Sequence, residues 1–295
     1  MNPIEFNNPD RFPKTGQVHQ VHRIGRTAKQ LLDAPGCAGQ ILSVVSSAVY
    51  LTTRDSDILW LVQEGLPAHT RAILTSFDPR LLSVGIGFAV EDARLRIGDD
   101  IALDLRGAEE WRPATIVPAQ PAPLDVVSAR VRELQVALAR SVLGGAASLG
   151  CVVEGCGAED ARNDITRIAR ACRELIGLGA GLTPAGDDFV GGLLFAVHHL
   201  HKTYPAVLHW DAQPIEALMD YARAQTNRIS FAILSDLARG DGPEPLHDFV
   251  AALLTGKNVD ALLPPAARVV EIGSTTGRNI LEGTLAGIDL IASPE

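Results

Sequence analysis

The chain has 295 residues, which is enough for one large domain or two ordinary ones and for a sizeable hydrophobic core. Hydrophobic residues make up 46% and charged residues 21%, a balance that excludes a disordered chain. Lys and Arg number 26 and Asp and Glu number 35, and the resulting net charge of −9 argues against a nucleic-acid-binding protein. A small anionic substrate remains compatible with that charge, because a local pocket can oppose it.

The sequence carries no signal for secretion, membrane insertion or structural zinc. The first residues are polar, and the longest apolar run of the second half, residues 189–197, is too short to span a bilayer. The cysteines form no C-x-x-C pair and lack partners at zinc-ligand spacing. They are Cys37, Cys151, Cys156 and Cys172. We therefore expect a cytoplasmic protein that does not bind a membrane.

Short β-rich runs separated by turn residues fill the first part of the chain. They are residues 40–52, 57–63, 71–76, 84–90, 93–97 and 101–105. Between the last two runs, Gly98-Asp99-Asp100 is a hairpin signal. This pattern predicts a β-rich domain over residues 15–115, in which short antiparallel strands form a small sheet or barrel.

A proline-rich segment follows, and the apolar period then becomes helical. Four prolines between residues 113 and 123 are incompatible with a helix or a central strand, so we predict a joint over residues 116–123. The predicted helices cover residues 124–143, 160–176, 189–200, 215–237, 246–254, 261–272 and 279–291. Pro264-Pro265 is expected to start or interrupt its helix. The predicted fold class is α+β, with an α-helical bundle over residues 124–295 after the β-rich domain.

One glycine-rich stretch, GLGAGLTPAGDDFVGG at residues 177–192, precedes a predicted buried helix. Glycines let a ligand approach the main chain, and a helix start offers free N–H groups, so the stretch is typical of an anion-binding loop. It lacks the G-K-[ST] of a Walker A loop and the preceding strand of a dinucleotide-binding fold. The candidate ligand-binding residues are Gly179, Gly181, Leu182, Thr183 and Gly186.

Two adjacent carboxylates, Asp187 and Asp188, stand where that helix begins. They would repel a bare anion, but they suit a substrate amide or a Mg²⁺ ion that bridges to phosphate. Mg²⁺ is the only cofactor that the motif suggests. In the simpler interpretation, the carboxylates only cap the helix and complement its dipole, and the glycines only form a tight turn.

Two further segments place polar residues at or near helices. Before the last predicted helix stand Ser274, Thr275, Thr276, Gly277 and Arg278, whose hydroxyl, N–H and guanidinium groups suit phosphate oxygens. An ordinary N-cap with a surface arginine would explain them equally well. Inside the predicted helix 215–237, the run from Thr226 to Ser230 includes Asn227 and Arg228, which face either a site or solvent.

Residues 177–188 resemble the signature of the AllH family, a Gly-x-Gly-x-Gly-Leu-Thr-Pro-Ser/Ala-x-Asp-Asp run that enters an apolar helix. A second block of that family, Gly-His-x-Ser-Gly, corresponds to residues 273–277. Here Ser274 replaces the usual His, and Thr276 stands where Ser is common. The resemblance covers roughly residues 17–292.

The resemblance implies a subunit of the bacterial oxamate carbamoyltransferase. Such a system exchanges a carbamoyl group between phosphate and oxamate or a related amide in ureide and allantoin catabolism. It implies an FdrA-type subunit and a third subunit as partners and a small anionic substrate. Taken together with the chemistry of the loops, it makes Asp187, Asp188 and Arg228 the candidate catalytic residues. This function requires the two glycine-containing loops to lie side by side. The alternatives are a non-catalytic assembly or regulatory subunit and a stand-alone Mg²⁺-dependent enzyme that acts on a phosphate ligand.

Overall fold

The computed structural model describes residues 17–140, 164–208 and 210–292. The chain divides into two compact units, Met1–Arg112 and Pro113–Glu295. Strands dominate the first unit and helices the second, so the predicted α+β class is confirmed. None of the described helices is long and apolar enough to cross a membrane.

Strands of the first unit close into a barrel. In chain order they are β1 (Gln17–Gly25), β2 (Ala38–Val44), β3 (Val49–Thr53), β4 (Ile58–Gln63), β5 (Ala72–Thr75), β6 (Gly87–Glu91), β7 (Arg94–Ile97), β8 (Ile101–Asp104) and β9 (Glu109–Trp111). Their order is β5-β4-β3-β2-β6-β7-β8-β1-β9, and an additional pairing of β1 with β5 closes a ring of eight. The predicted barrel is therefore confirmed. Its strands are not all antiparallel, because β4–β5, β1–β8 and β1–β9 are parallel pairs.

The first strand makes closure feasible because its two halves have different partners. Residues 17–20 pair with β8, and residues 21–24 pair with β5, with a register shift between Val21 and Arg23. The sequence analysis missed this strand and the helix α1 (Arg26–Leu32) that follows it. The predicted strand 40–52 is in fact the hairpin of β2 and β3, in which the N–H of Val45 donates to the carbonyl of Ala48. Gly98 has a φ of +58° in the predicted turn between β7 and β8.

The second unit is helical. Its helices are α2 (Leu124–Arg140), α3 (Ile165–Arg173), α4 (Ala185–Thr203), α5 (Ala212–Gln225), α6 (Arg228–Ala238), α7 (Glu244–Leu254), α8 (Val259–Val270) and α9 (Thr276–Ala292). Pro264 and Pro265 lie inside α8 and neither start nor interrupt it, contrary to expectation. Pro264 is exposed, so water can bond the carbonyl group that loses its usual N–H donor.

The predicted helix 215–237 is wrong as a single element. The chain leaves α5 at Thr226, whose φ of −121° and ψ of 173° are extended. It then enters α6 at Arg228, after Asn227 has capped the new helix through its side chain. The apolar spacing continues across this break, which is why the periodicity did not show it. The polar side chains at the break, Thr226 and Asn227, donate hydrogen bonds to Asp187 and to the carbonyl of Leu182.

Helix α4 lies in the core of this unit and is buried along almost its whole length. It packs closely against α9, because a Cβ on Gly192 would lie 2.0 Å from the Ile280 carbonyl oxygen. A Cβ on Gly283 would lie 1.9 Å from the carbonyl oxygen of Phe189. Only glycine permits backbones to approach so closely.

The contacts of α4 also give the helix directions. Along α9, Gly283 meets Phe189 and Gly287 meets Leu193, so α4 and α9 run parallel. Along α6, Ser230 meets Asp187 and Leu237 meets Gly191, so α6 also runs parallel to α4. The N-termini of these three helices therefore lie at the same end of the unit.

Candidate functional site

The glycine-rich loop between α3 and α4 presents free backbone donors at this end. Gly179 and Gly181 have φ values of +120° and +99°, which L side chains rarely adopt. Within the described chain, the N–H groups of residues 179–183 donate no hydrogen bond. The loop therefore offers a row of amides to a ligand, as the sequence predicts for an anion-binding loop.

Two predicted site glycines serve packing. Gly186 is buried, and a Cβ there would lie 2.0 Å from the carbonyl oxygen of Leu175. Gly277 is also buried, and a Cβ there would lie 1.8 Å from the Val269 carbonyl oxygen. The absence of a side chain at these two glycines lets the N-termini of α4 and α9 pack closely against the segments that precede them. The glycines therefore contribute to the geometry of the site but do not contact a ligand.

The carboxyl group of Asp187 is fully engaged inside the protein. The side chain is 1% exposed. Its Oδ1 accepts the N–H of Gly177 at 2.7 Å, and its Oδ2 accepts the hydroxyls of Ser230, at 2.6 Å, and of Thr226. The carboxyl thus ties the glycine-rich loop to the break between α5 and α6.

Asp188 differs from its neighbour, because one of its oxygens is unused. The residue is 2% exposed, and its Oδ2 has no hydrogen-bond partner within the described chain. Burial raises the pKa of this carboxyl to about 8. The charge of Asp187 acts in the same direction, whereas hydrogen bonds from the hydroxyls of Thr183 and Thr276 oppose the rise. The carboxyl is therefore largely protonated at neutral pH.

The loop before α9 meets the glycine-rich loop directly. The hydroxyls of Thr183 and Thr276 are 2.8 Å apart and joined by a hydrogen bond. Ser274 and Thr275 are exposed, and within the described chain the N–H groups of residues 273–276 donate no hydrogen bond. Arg278 lies in the first turn of α9. The two loops therefore lie side by side, as the carbamoyl-transfer hypothesis requires.

The start of α6 lies next to the glycine-rich loop and adds two polar residues to the candidate site. Asn227 donates through Nδ2 to the Leu182 carbonyl at 2.8 Å and accepts the N–H groups of Ile229 and Ser230 through Oδ1. Arg228 is exposed in the first turn of α6. The side chain of Asn227 thus caps α6 and at the same time holds the glycine-rich loop in place.

The structure brings the three predicted segments together at the ends of α4, α6 and α9. Sequence analysis did not identify Thr226 and Ser230 as the donors to Asp187, although their i,i+4 spacing on an apolar segment was a usable signal. It also missed Asn279, whose Nδ2 is buried without a partner in the described chain.

Among the described residues, no group of three or more His, Cys, Asp or Glu side chains is arranged to hold a metal ion. Cys151 and Cys156 lie outside the described residues.

Residues 175–288 match the family model described as oxamate carbamoyltransferase subunit AllH. The matched segment begins after α3 and ends within α9, so it contains both loops and the break before α6, but not the barrel. No solved structure matches the chain. Over residues 175–288 the chain is therefore similar to the AllH family, whose description names a carbamoyltransferase subunit.

Proposed function

We propose that this chain is the carbamoyltransferase subunit that binds carbamoyl phosphate, with the phosphate at the adjoining N-termini of α4, α6 and α9. The observation that carries the proposal is the Thr183–Thr276 hydrogen bond, which joins two loops that are 93 residues apart in sequence. Both loops have N–H groups that donate no hydrogen bond to any residue the structure describes. A tetrahedral anion between them would accept donors from both sides.

The electrostatics of this end support an anionic ligand despite the net charge of −9. Each helix N-terminus carries roughly half a positive charge, and three of them lie at the same end. Arg228 and Arg278 occupy the first turns of α6 and α9 and can form paired bonds to phosphate or carboxylate oxygens. Because Asp188 is largely protonated, it adds little negative charge.

In the proposed reaction, a carbamoyl group passes between nitrogen and phosphate. In the direction that forms carbamoyl phosphate, an oxygen of hydrogen phosphate attacks the ureido carbonyl carbon. The bond from that carbon to the oxamate nitrogen then breaks, and the proton of hydrogen phosphate ends on the nitrogen. Free loop N–H groups would stabilise the negative charge that develops on the carbonyl oxygen. Arg228, at the exposed edge, would hold the oxamate carboxylate.

The roles of the two aspartates differ in this proposal. Asp187 has all its hydrogen bonds within the protein, so it positions the glycine-rich loop and the start of α6. Asp188 contacts the two threonine hydroxyls that face the ligand. Ser274 and Thr275, which are exposed in the second loop, would complete the donor set around the phosphate.

Isothermal titration of the full chain with carbamoyl phosphate, phosphate and oxamate tests the proposal. Thr276→Val should weaken carbamoyl phosphate binding about tenfold or more through loss of a hydroxyl donor, and Thr276→Ser should retain it. Thr255→Val is a matched control, because that exposed hydroxyl bonds only carbonyls of its own helix. Absence of saturable binding, or equal affinity in Thr276→Val, would contradict a phosphate site on this chain.

The glycine-rich loop also supports a second candidate function, docking of another subunit of the complex. Leu178 and Leu182 are 50% and 37% exposed on either side of its glycines. Large exposed apolar residues around a polar site are typical of an interface. Leu178→Ser should reduce co-purification with the FdrA-type subunit and leave carbamoyl phosphate binding unchanged. Loss of carbamoyl phosphate binding together with the partner would instead assign Leu178 to the ligand site.

A further inference from the structure

We propose that Asp188 determines, through the hydroxyls of Thr183 and Thr276, whether this site presents a hydrogen-bond donor or an acceptor to its ligand. The inference rests on the proposed function, because it assumes that an anion binds at these hydroxyls. It gives the carboxyl of Asp188, which the ligand does not touch, the role of orienting the two hydroxyls. It also predicts how anion binding changes with pH.

Asp188 lies behind the two hydroxyls. The side chain is 2% exposed and its Oδ2 is sealed from solvent, whereas Thr183 and Thr276 are only partly buried. Both hydroxyls lie close enough to the carboxyl to lower its pKa, and they are 2.8 Å from each other. A ligand in the loops would therefore meet the hydroxyls first, and the carboxyl would act on it only through them.

The protonation state of Asp188 determines which way the hydroxyl protons of Thr183 and Thr276 point. Each hydroxyl has one proton to donate. If Asp188 is protonated, it donates to one threonine, that threonine donates to the other, and the last hydroxyl is free to donate outward. If Asp188 is ionised, it accepts a hydrogen bond from one threonine, and that threonine accepts one from the other. Both hydroxyl protons then point inward, and the ligand faces lone pairs. Only the first arrangement complements an anion.

The surroundings of Asp188 favour the protonated form. Burial raises its pKa to about 8, and the charge of Asp187 on the same helix adds to this. In the first two turns of α6 and α9, the helices that pack against α4, the charged residues are Arg228, Arg278 and Glu282. Burial raises the pKa of Glu282, and Arg278 opposes that rise. We therefore expect anion affinity to be constant below about pH 7 and to fall above pH 8.

Sulfate is a suitable probe, because it stays a dianion over the whole range and does not titrate itself. If only the protonated form binds, the Kd of the full chain for sulfate should rise about 30-fold between pH 7 and pH 9.5. Asp188→Asn should keep the pH 7 affinity at both pH values, since the amide N–H donates a hydrogen bond at every pH. Glu282→Gln, which neutralises the nearby titratable group, should show the wild-type pH dependence.

The possible results separate the two proposals. A wild-type Kd that is equal at pH 7 and pH 9.5 would overturn the role of Asp188 and leave the anion site intact. The same conclusion would follow if Asp188→Asn lost affinity at pH 9.5 as the wild type does. No sulfate binding at any pH would overturn the proposed function itself. Should Asp188→Asn fail to fold, the wild-type profile and its persistence in Glu282→Gln still decide the question.

Discussion

Replacing Asp188 with Asn should stabilise the helical unit, and the gain should grow with pH. Burial, reinforced by the charge of Asp187, raises the pKa of this carboxyl from 3.8 to about 8. The native state therefore holds the proton more tightly than the unfolded chain does. The stability associated with the protonated group is fully present below pH 3.8 and is lost as the pH rises through 8. An amide of the same shape does not carry this pH-dependent cost.

The size of the effect follows from the two pKa values. Between pH 3.8 and pH 8, each pH unit lowers the free energy of unfolding of the wild type by about 1.4 kcal/mol relative to a neutral side chain. The variant should therefore be more stable by about 2 kcal/mol at pH 5 and by about 4 kcal/mol at pH 7. Both values are upper bounds, because the N-terminal dipole of α4 favours the ionised carboxylate.

Guanidinium unfolding followed by far-UV circular dichroism measures this difference, since helices dominate the signal. Wild type and Asp188→Asn are compared at pH 5 and pH 7. A gain of equal size at both pH values would refute the argument that ionisation of a buried carboxyl causes it. A loss of stability at pH 7 would show that the carboxyl makes contacts an amide cannot replace.

The remaining predictions concern packing and burial in the same unit. Asp187→Asn should lower the free energy of unfolding by about 2–3 kcal/mol, because an amide nitrogen cannot accept from the hydroxyls that the carboxylate binds; a neutral or stabilising result in the same unfolding assay would contradict the observed bonds. Gly283→Ala should cost about 1–3 kcal/mol, because its Cβ would lie 1.9 Å from the Phe189 carbonyl oxygen; an unchanged Tm would show that the two helices are further apart. Burial raises the pKa of the Cys172 thiol to about 12, so iodoacetamide should leave it unmodified in the native chain and label it after unfolding, as peptide mapping would show.

The element types followed well from local sequence, and the errors have local causes. Most predicted strands and helices exist because alternating and 3.6-residue apolar periods report which face is buried. The break at Thr226 and Asn227 was missed because apolar residues on both sides keep the helical period. Its evidence was chemical: Asn is a strong N-cap, and here it caps α6. β1 was missed because its apolar residues Val18, Val21 and Ile24 recur every third residue and not every second.

The candidate site was only partly predictable. The sequence identified the two loops because small and hydroxyl residues accumulate before helices. It could not show that Thr183 and Thr276 would bond, because that contact depends on how α4 and α9 pack. Nor could it separate Asp187 from Asp188, since the two are identical and adjacent. A helix turns about 100° per residue, so one carboxyl faces α6 and the other faces the threonine pair.

Residues far from the loops thus help to determine the chemistry of the site. Two helix N-termini act on the same anion only if their axes are close, because the effect of each dipole falls off within its first turn. In this chain, Gly192 and Gly283 remove the side chains that would separate α4 from α9. The same glycines therefore allow the hydroxyls of Thr183 and Thr276 to reach each other over Asp188. A larger residue at either glycine should weaken anion binding as well as stability, without touching a ligand.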